Sequence, residues 1–329
     1  MKEIKIKSFD NKELHTYIWD EVKNPVGVIH LVHGSAEHTL RYINFVEFLN
    51  KNNYIVIGSD HRGHGKTANL EENELGFFAK EDGWNIIIKD LHIINNFIKS
   101  TYKDLKVVIV GHSMGSFMVR NYISNYGDSV DGAIIVGTAL YSSLVLNFGL
   151  GVAKKNQKKY GEKNVDKLIW KLSYKPLNAK FKKHGKTGVE WLSTDENVVK
   201  NFLDDPLAGQ VFTSSAFKDL FFGLNQIQKQ DYIDRIPKDL PIFIISGDKD
   251  SVGKFGKDPR KLQKIYKKNG LNSKLRLYLN MRHEILNEVG KEKVYRDINE
   301  FLESVLNYKS EYIDISKEEN ENENEKKIT

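Results

Sequence analysis

Val107-Val108-Ile109-Val110-Gly111-His112-Ser113-Met114-Gly115-Ser116-Phe117-Met118-Val119-Arg120 is the stretch whose reading decides the fold. Its first four residues are β-branched and apolar, the composition of a strand buried on both faces. The residues after Ser116 suit a helix. Between them lies G-x-S-x-G. Small residues two before and two after a serine let the chain turn sharply from strand into helix. The turn lifts the serine Oγ off the sheet and aims the following N–H groups towards it. Glycine and serine are common in ordinary turns, so the pattern alone is weak; the strand before and the helix after give it meaning. The stretch predicts a nucleophilic Ser113.

The same strand–helix rhythm extends to both sides. Upstream, residues 1–20 read as an edge hairpin turning at Asp10-Asn11, with its second strand over 14–19. A buried strand follows at 26–32 and ends in His33-Gly34-Ser35-Ala36-Glu37-His38. A helix is expected over 42–51, then a strand over 54–57 ending in Asp60-His61-Arg62-Gly63-His64-Gly65. Helical spacing of Ile87, Leu91, Ile94 and Ile98 marks 84–100. Downstream, 133–136 is another strand. The rhythm then breaks over 139–227, a Lys-rich stretch with helical spacing at Val165, Leu168, Ile169 and Leu172. Strands return at 241–246 and 275–279, and an amphipathic helix spans 291–306. Together these predict an α/β protein: a mostly parallel central sheet, helices on both faces, and an inserted helical cap or lid. Its parts are a first core segment (1–138, with the nucleophile), the cap (139–227), a second core segment (228–309, with the acid and the histidine) and a tail (310–329). The tail is Glu/Asn/Lys-rich, low in complexity and expected to be disordered.

Composition narrows the chemistry. The chain has 329 residues, with 50 Lys+Arg against 44 Asp+Glu, a net charge of +6. That mild excess is spread along the chain and is no nucleic-acid footprint. Cysteine is absent, which excludes disulfides, thiolate zinc sites and cysteine nucleophiles. Residues 1–7 alternate charged and apolar side chains like a half-exposed strand, so no secretory signal is expected and a soluble cytoplasmic protein is. Residues 132–153 carry no charge and are long enough to span a bilayer. However, Gly132, Gly137, Gly149 and Gly151, with Thr138, Ser142, Ser143 and Asn147, argue for a strand running into an apolar lid.

A serine hydroxyl is a weak nucleophile at neutral pH; it needs a base, and the base an orienting carboxylate. In a doubly wound sheet these sit on loops at the carboxyl ends of strands, in the order serine, acid, histidine. Gly247-Asp248-Lys249-Asp250 follows one predicted strand, and Asn280-Met281-Arg282-His283-Glu284 follows the next. Of the ten histidines, His283 alone lies downstream of both serine and acid. Spacing leaves Asp248 and Asp250 both open as the acid; the other is expected to bind backbone N–H groups of the turn. For an oxyanion hole, one donor is the N–H of Met114. The second is the N–H of Ser35, where Gly34 lets the loop turn. Asp60, His61, His64 and His33 have the residue types of a zinc site, but a tight loop shaped by Asp60 and the glycines is the simpler reading. No metal and no cofactor are expected.

These segments, with Arg41-Tyr42 and across roughly residues 10 to 305, resemble the α/β-hydrolases of the monoacylglycerol lipase and lysophospholipase group, often described as serine aminopeptidase S33-like. The resemblance implies an eight-stranded hydrolase sheet under a lid. Its G-x-x-D pattern falls on Gly247 and Asp250, which selects Asp250 as the acid, and its oxyanion donors fall on Ser35 and Met114. Two departures are Ser116, where the family more often has a second glycine, and a longer acid loop over 250–257. The implied activity is hydrolysis of carboxylic esters bearing an acyl chain, monoacylglycerol or lysophospholipid, through an acyl-enzyme. Rival readings are an aminopeptidase-type serine hydrolase of the same fold and a non-catalytic, hydrolase-like ligand-binding protein. Leu140, Leu144, Leu146 and Phe148 are expected to line an acyl channel. Phe212, Phe217, Leu220, Phe221, Phe222 and Leu224 are expected to form its other wall. The lysines between Lys154 and Lys171 read as a solvated helix face or, more sharply, as a transient contact with an anionic membrane surface. The expected partner is a small lipid ester; the sequence sets no oligomeric state.

Overall fold

A computed structural model describes residues 1–307; the tail expected over 310–329 lies outside the described residues. In chain order the first half comprises β1 (Lys2–Lys7), β2 (Glu13–Trp19), β3 (Gly27–Val32), α1 (Ile43–Lys51), β4 (Tyr54–Ser59), α2 (Gly83–Thr101), β5 (Val107–His112), α3 (Met114–Tyr126) and β6 (Gly132–Val136). Five helices follow: α4 (Ser143–Tyr160), α5 (Lys167–Tyr174), α6 (Glu196–Asp204), α7 (Ser214–Gln226) and α8 (Gln230–Asp234). The chain then returns to the sheet with β7 (Ile242–Gly247), α9 (Lys257–Lys268), β8 (Ser273–Tyr278) and α10 (Lys291–Leu306).

The strands form one eight-stranded sheet in the order β1-β2-β4-β3-β5-β6-β7-β8. β1 and β2 make an antiparallel hairpin, β2 runs antiparallel to β4, and every later pairing is parallel. β3, β4, β5, β6 and β7 are buried along their whole length. Strands covered on both faces must be apolar throughout, which is why they read as unbroken runs. Successive residues of β5 serve opposite layers: Val107 and Ile109 pack under α2 and α3, Val108 and Val110 under α1 and α10.

The predicted strands and the predicted helices outside the 139–227 stretch all form, with boundaries shifted by one or two residues. The helix expected from 42 begins at Ile43, after a 3₁₀ turn over Thr39–Tyr42. β4 runs past its apolar residues through Gly58 and Ser59. Helix α9 carries no expectation from the sequence. It is dense in lysine and buries only Asp258, Pro259, Leu262 and Tyr266, so its apolar signal is short; a parallel β7–β8 pair nevertheless requires a crossover.

Residues 137–241 join β6 to β7 with no strand among them, only an isolated bridge between Val165 and Thr213. Helix α7 is tied to the core. Gly223 lies against the Trp84 ring of α2, where any Cβ would overlap it. Phe212, Phe217, Leu220 and Leu224 belong to the same buried cluster as Trp84 and Ile87. Among the described residues no helix is long and apolar enough to cross a membrane.

Asp219 sits at this α7–α2 contact, 3% exposed. Its Oδ2 has no hydrogen-bond partner among the described residues, and neighbouring Lys218 is 4.0 Å from Oδ1 but bonds Glu81 at 2.9 Å. Burial, outweighing Lys218 and reinforced by Asp82 and Glu81, pushes the Asp219 carboxyl up to about 7. A carboxyl whose pKa rises on folding binds a proton in the folded state that the unfolded chain has lost, so stability falls as pH rises from about 4 to about 7. Asp219→Asn is expected to stabilise the protein by on the order of 2–4 kcal/mol at pH 8. The gain should vanish below about pH 4, as urea denaturation at both pH values would read.

Candidate active site

Ser113 occupies the sharp turn between β5 and α3 at φ 55°, ψ −119°. A side chain held there costs of order 1–3 kcal/mol, and the surroundings enforce it. A Cβ on Gly111 would overlap the Gly115 carbonyl, and a Cβ on Gly115 would overlap the carbonyls of Val32 and His33. The two glycines therefore let α3 start directly against the ends of β3 and β5. The Ser113 N–H donates to the Val136 carbonyl at 2.9 Å. Ser116, where the related pattern has glycine, is fully buried and its hydroxyl donates to the Ser113 carbonyl at 2.6 Å, so the departure adds a brace to the turn.

His283 and Asp250 come from the loops after β8 and β7. Asp250 Oδ1 lies 3.0 Å from His283 Nδ1, with both side chains buried. Asp250 also accepts from Val252 N at 2.8 Å and Ser246 Oγ at 3.1 Å. Burial opposes its charge, but the His283 ring and these donors outweigh burial and hold the carboxyl below its usual range. An ionised carboxylate only accepts, so Nδ1 carries the proton and Nε2 presents a lone pair. Nε2 is buried without a hydrogen-bond partner among the described residues, and His283 and Ser113 line one cavity. Gly247 keeps the two loops together, since a Cβ there would overlap the Met281 and Arg282 carbonyls. Gly137, at φ 64°, leaves room for the ring; a Cβ there would sit 3.1 Å from His283 Cε1. Asp248 instead accepts from the Asn280 N–H at 2.7 Å, closing the turn.

Ser35 follows β3, and with Met114 and Ser113 it lines a second cavity. A Cβ on Gly34 would stand 3.1 Å from Ser113 Cβ, so this loop passes directly over the elbow. The loop is braced from behind. His33 Nδ1 donates to the Gly34 carbonyl at 2.8 Å while Nε2 accepts from His61 N at 2.9 Å. Burial, with neighbouring histidines, pushes His61 down to about 3; burial alone outweighs its partners in pushing His64 down to about 4. Both rings are neutral. Asp60 accepts from Thr39 N, Lys66 N and Tyr17 Oη, the loop-shaping role expected of it. Among the described residues no cluster of three or more His, Asp or Glu is placed to hold a metal ion.

Sequence reasoning did not foresee the buried charges behind the site. Arg41 bonds Glu37 at 2.8 Å and both oxygens of Glu284 at 3.0 Å. Glu37 also accepts from Gly34 N at 2.6 Å and from Tyr42 Oη, which lies 2.8 Å from His112 Nδ1. His112 Nε2 reaches the His283 carbonyl at 3.2 Å. Burial opposes the Glu37 charge, yet His112 and Arg41 hold it well below the carboxylate range. The available signal was a carboxylate directly after His283 and an arginine near Gly34. The helical insertion is joined to this layer as well: Glu284 N donates to the Leu192 carbonyl at 2.8 Å, and Arg282 Nη1 donates to the Glu190 and Ser193 carbonyls at 2.6 and 2.8 Å.

Two cavities meet at Ser35 and Ser113, of about 350 and about 380 Å³. The larger holds Leu146 and Phe148, and Phe217, Leu220, Phe221 and Leu224 form its far wall. Leu140 and Leu144 lie outside it. Leu140 is buried towards Asp258, which accepts from its N–H at 3.0 Å, and Leu144 is 83% exposed on α4. Phe212 is buried beneath, edge-on to His64, and Phe222 faces outward.

The profile of the hydrolase family described as serine aminopeptidase, S33, matches residues 23–290. The chain belongs to this family. It is an α/β-hydrolase, similar to the monoacylglycerol lipase of Mycolicibacterium smegmatis, with 23% identity over 88% of this chain and 92% of that one. It is also similar to a probable lysophospholipase L2 of Haemophilus influenzae, with 23% identity over 85% and 83% of the two chains. Among solved structures, a thermostable carboxyl esterase from Bacillus coagulans in complex with glycerol superposes with a TM-score of 0.86 at 25% identity, covering 93% of this chain and 98% of that one. In this S33-family chain, Arg41→Ala would remove the cation shared by Glu37 and Glu284, leaving Glu37 to Gly34 N, Tyr42 and His112 and Glu284 to Asn287 Nδ2. A loss of about 3–5 kcal/mol in urea denaturation is expected, with part of it recovered in Arg41→Ala/Glu284→Gln.

Proposed function

We propose that this protein is a serine hydrolase that cleaves carboxylic esters carrying a fatty acyl chain. The observation that supports this best is the Asp250–His283 pair, whose histidine shares a cavity with Ser113, next to a second cavity with no charged lining residue. Ser113 Oγ attacks the ester carbonyl while His283 Nε2 takes its proton. Asp250 holds the ring and stabilises the imidazolium. The N–H groups of Ser35 and Met114 receive the oxyanion. Collapse breaks the bond to the alcohol, which leaves with the proton from His283. Water, deprotonated by the same nitrogen, then cleaves the acyl-enzyme and restores Ser113.

The apolar cavity suits the acyl chain, each buried methylene contributing about 0.8 kcal/mol. Relatives named monoacylglycerol lipase and lysophospholipase point to glycerol-based esters. An aminopeptidase must hold a substrate ammonium. Glu37 and Glu284 are the carboxylates lining the Ser113 cavity, and both are committed to Arg41, which disfavours that reading. α4 and the following segment act as a lid over the site. Leu144, Val145, Phe148 and Leu172 are 62–83% exposed, beside the lysines of α4 and α5, a surface suited to brief contact with anionic lipid aggregates.

Dodecanoyl p-nitrophenyl ester is expected to be hydrolysed and aminoacyl p-nitroanilides left intact. Ser113→Ala should lower ester turnover by about 10⁴–10⁶ without loss of fold by circular dichroism. Asp250→Asn should cost far more activity than Asp248→Asn. Turnover of the anilides alone, or an active Ser113→Ala, contradicts the proposal. Co-sedimentation with phosphatidylglycerol vesicles should fall in Leu144→Ser/Phe148→Ser; unchanged binding removes the surface contact.

A further inference from the structure

The two cavities that meet at Ser113 are chemically unlike. The one under α4 has no charged residue in its lining. The other is bordered by Glu37, Arg41, Glu284, Lys171 and Lys175. Tyr174 and Trp191 stand in both linings and divide them. Tyr174 is fixed there by its hydroxyl, which donates to Ser35 Oγ at 3.0 Å, and by the Trp170 ring stacked on it at 3.8 Å. An ester whose carbonyl carbon lies at Ser113 must send its acyl chain one way and its alcohol the other. The uncharged arm takes the chain; the charged arm is left for the alcohol.

Within the charged arm the carboxylates are hydrogen-bonded inward, although the single Arg41 offsets only one of their two charges. Arg41 pairs with both Glu37 and Glu284, and Glu37 further accepts from Gly34 N and Tyr42 Oη. Lys171 and Lys175 differ. They stand four residues apart at the end of α5 and the start of the 3₁₀ turn after it, so both project to one side. Both are exposed, and neither makes an ion pair or side-chain hydrogen bond among the described residues. With three cations against two carboxylates the lining is net positive, and its two ammonium groups point no bond at the protein among the described residues.

We infer, building on the ester-hydrolase reading above, that Lys171 and Lys175 make the alcohol arm selective for an anionic, phosphate-bearing leaving group over neutral glycerol. An ammonium is a point donor suited to phosphate, and two of them at one mouth match the charge of a phosphomonoester. Because both are exposed, the preference is screened by salt.

The test compares 1-dodecanoylglycerol 3-phosphate with 1-dodecanoylglycerol, each below its aggregation threshold so that no lipid surface takes part. Wild type should favour the phosphate ester in kcat/KM. Lys171→Gln/Lys175→Gln should lower the phosphate-to-neutral ratio by roughly threefold to thirtyfold, mainly through KM. Lys171→Arg/Lys175→Arg should largely keep the ratio, and raising salt from about 50 to about 500 mM should shrink it in wild type. A ratio unchanged by the glutamine pair, or a wild type that prefers the neutral ester, overturns the inference while leaving the ester-hydrolase reading intact. Failure of wild type to hydrolyse either ester overturns both.

Discussion

A serine held at φ 55°, ψ −119° between a fully buried strand and a helix is the constraint on which the rest of the site depends. The turn exists only because Gly111 and Gly115 permit contacts that any Cβ would forbid. Once β5 and α3 meet at that angle, the loop after β3 is pressed over the serine, with Gly34 against Ser113 Cβ and Ser35 lining the same cavity as Met114. The parallel sheet supplies the remainder. Strands on both sides of β5 end on the same edge, so the acid and histidine loops arrive beside Ser113 with no long excursion.

That arrangement brings several charges into a buried layer, and their pairing decides what the site can do. Asp250 is ionised against His283 and fixes which imidazole nitrogen faces the cavity. Glu37 and Glu284 share the single cation of Arg41, which offsets one of their two charges, and His33, His61 and His64 remain uncharged and act as braces. The insertion is not a loose flap on this layer. Hydrogen bonds from Glu284 and Arg282 to residues 190–193 bind it to the histidine loop, while α7 shares the core with α2. Within the insertion, exposed apolar side chains concentrate on α4 and α5, at Leu144, Val145, Phe148, Leu168 and Leu172.

Much of this was legible in the sequence for a physical reason. Strands buried on both faces must be apolar along their length, so β3, β5, β6 and β7 announce themselves, and the residues just past them are the candidates for the chemistry. Spacing alone left Asp248 and Asp250 equivalent. The G-x-x-D resemblance selects Asp250, and the fold adds the reason: Asp248 closes a turn on Asn280 while Asp250 reaches His283. Three features escaped. Helix α9 buries too few apolar residues to show a clear period. The Arg41–Glu284 bond joins residues 243 apart in sequence, beyond any local pattern. The uniformly apolar run gives Leu140 and Leu144 the look of channel residues, but Leu140 precedes α4 and is tied to Asp258, and the phase of α4 is set by its start at Ser143. That phase turns Leu146 and Ala153 inward and Leu144 to solvent.

The central claim is that Ser113 is made nucleophilic by His283 and Asp250. Its most direct measurement is reaction of the folded, full-length protein with a fluorophosphonate, followed by mass spectrometry of the intact chain and its peptides. The account predicts one adduct per chain, on Ser113, forming far more slowly in His283→Ala. No adduct, or an adduct on another serine that forms equally fast in His283→Ala, would contradict it.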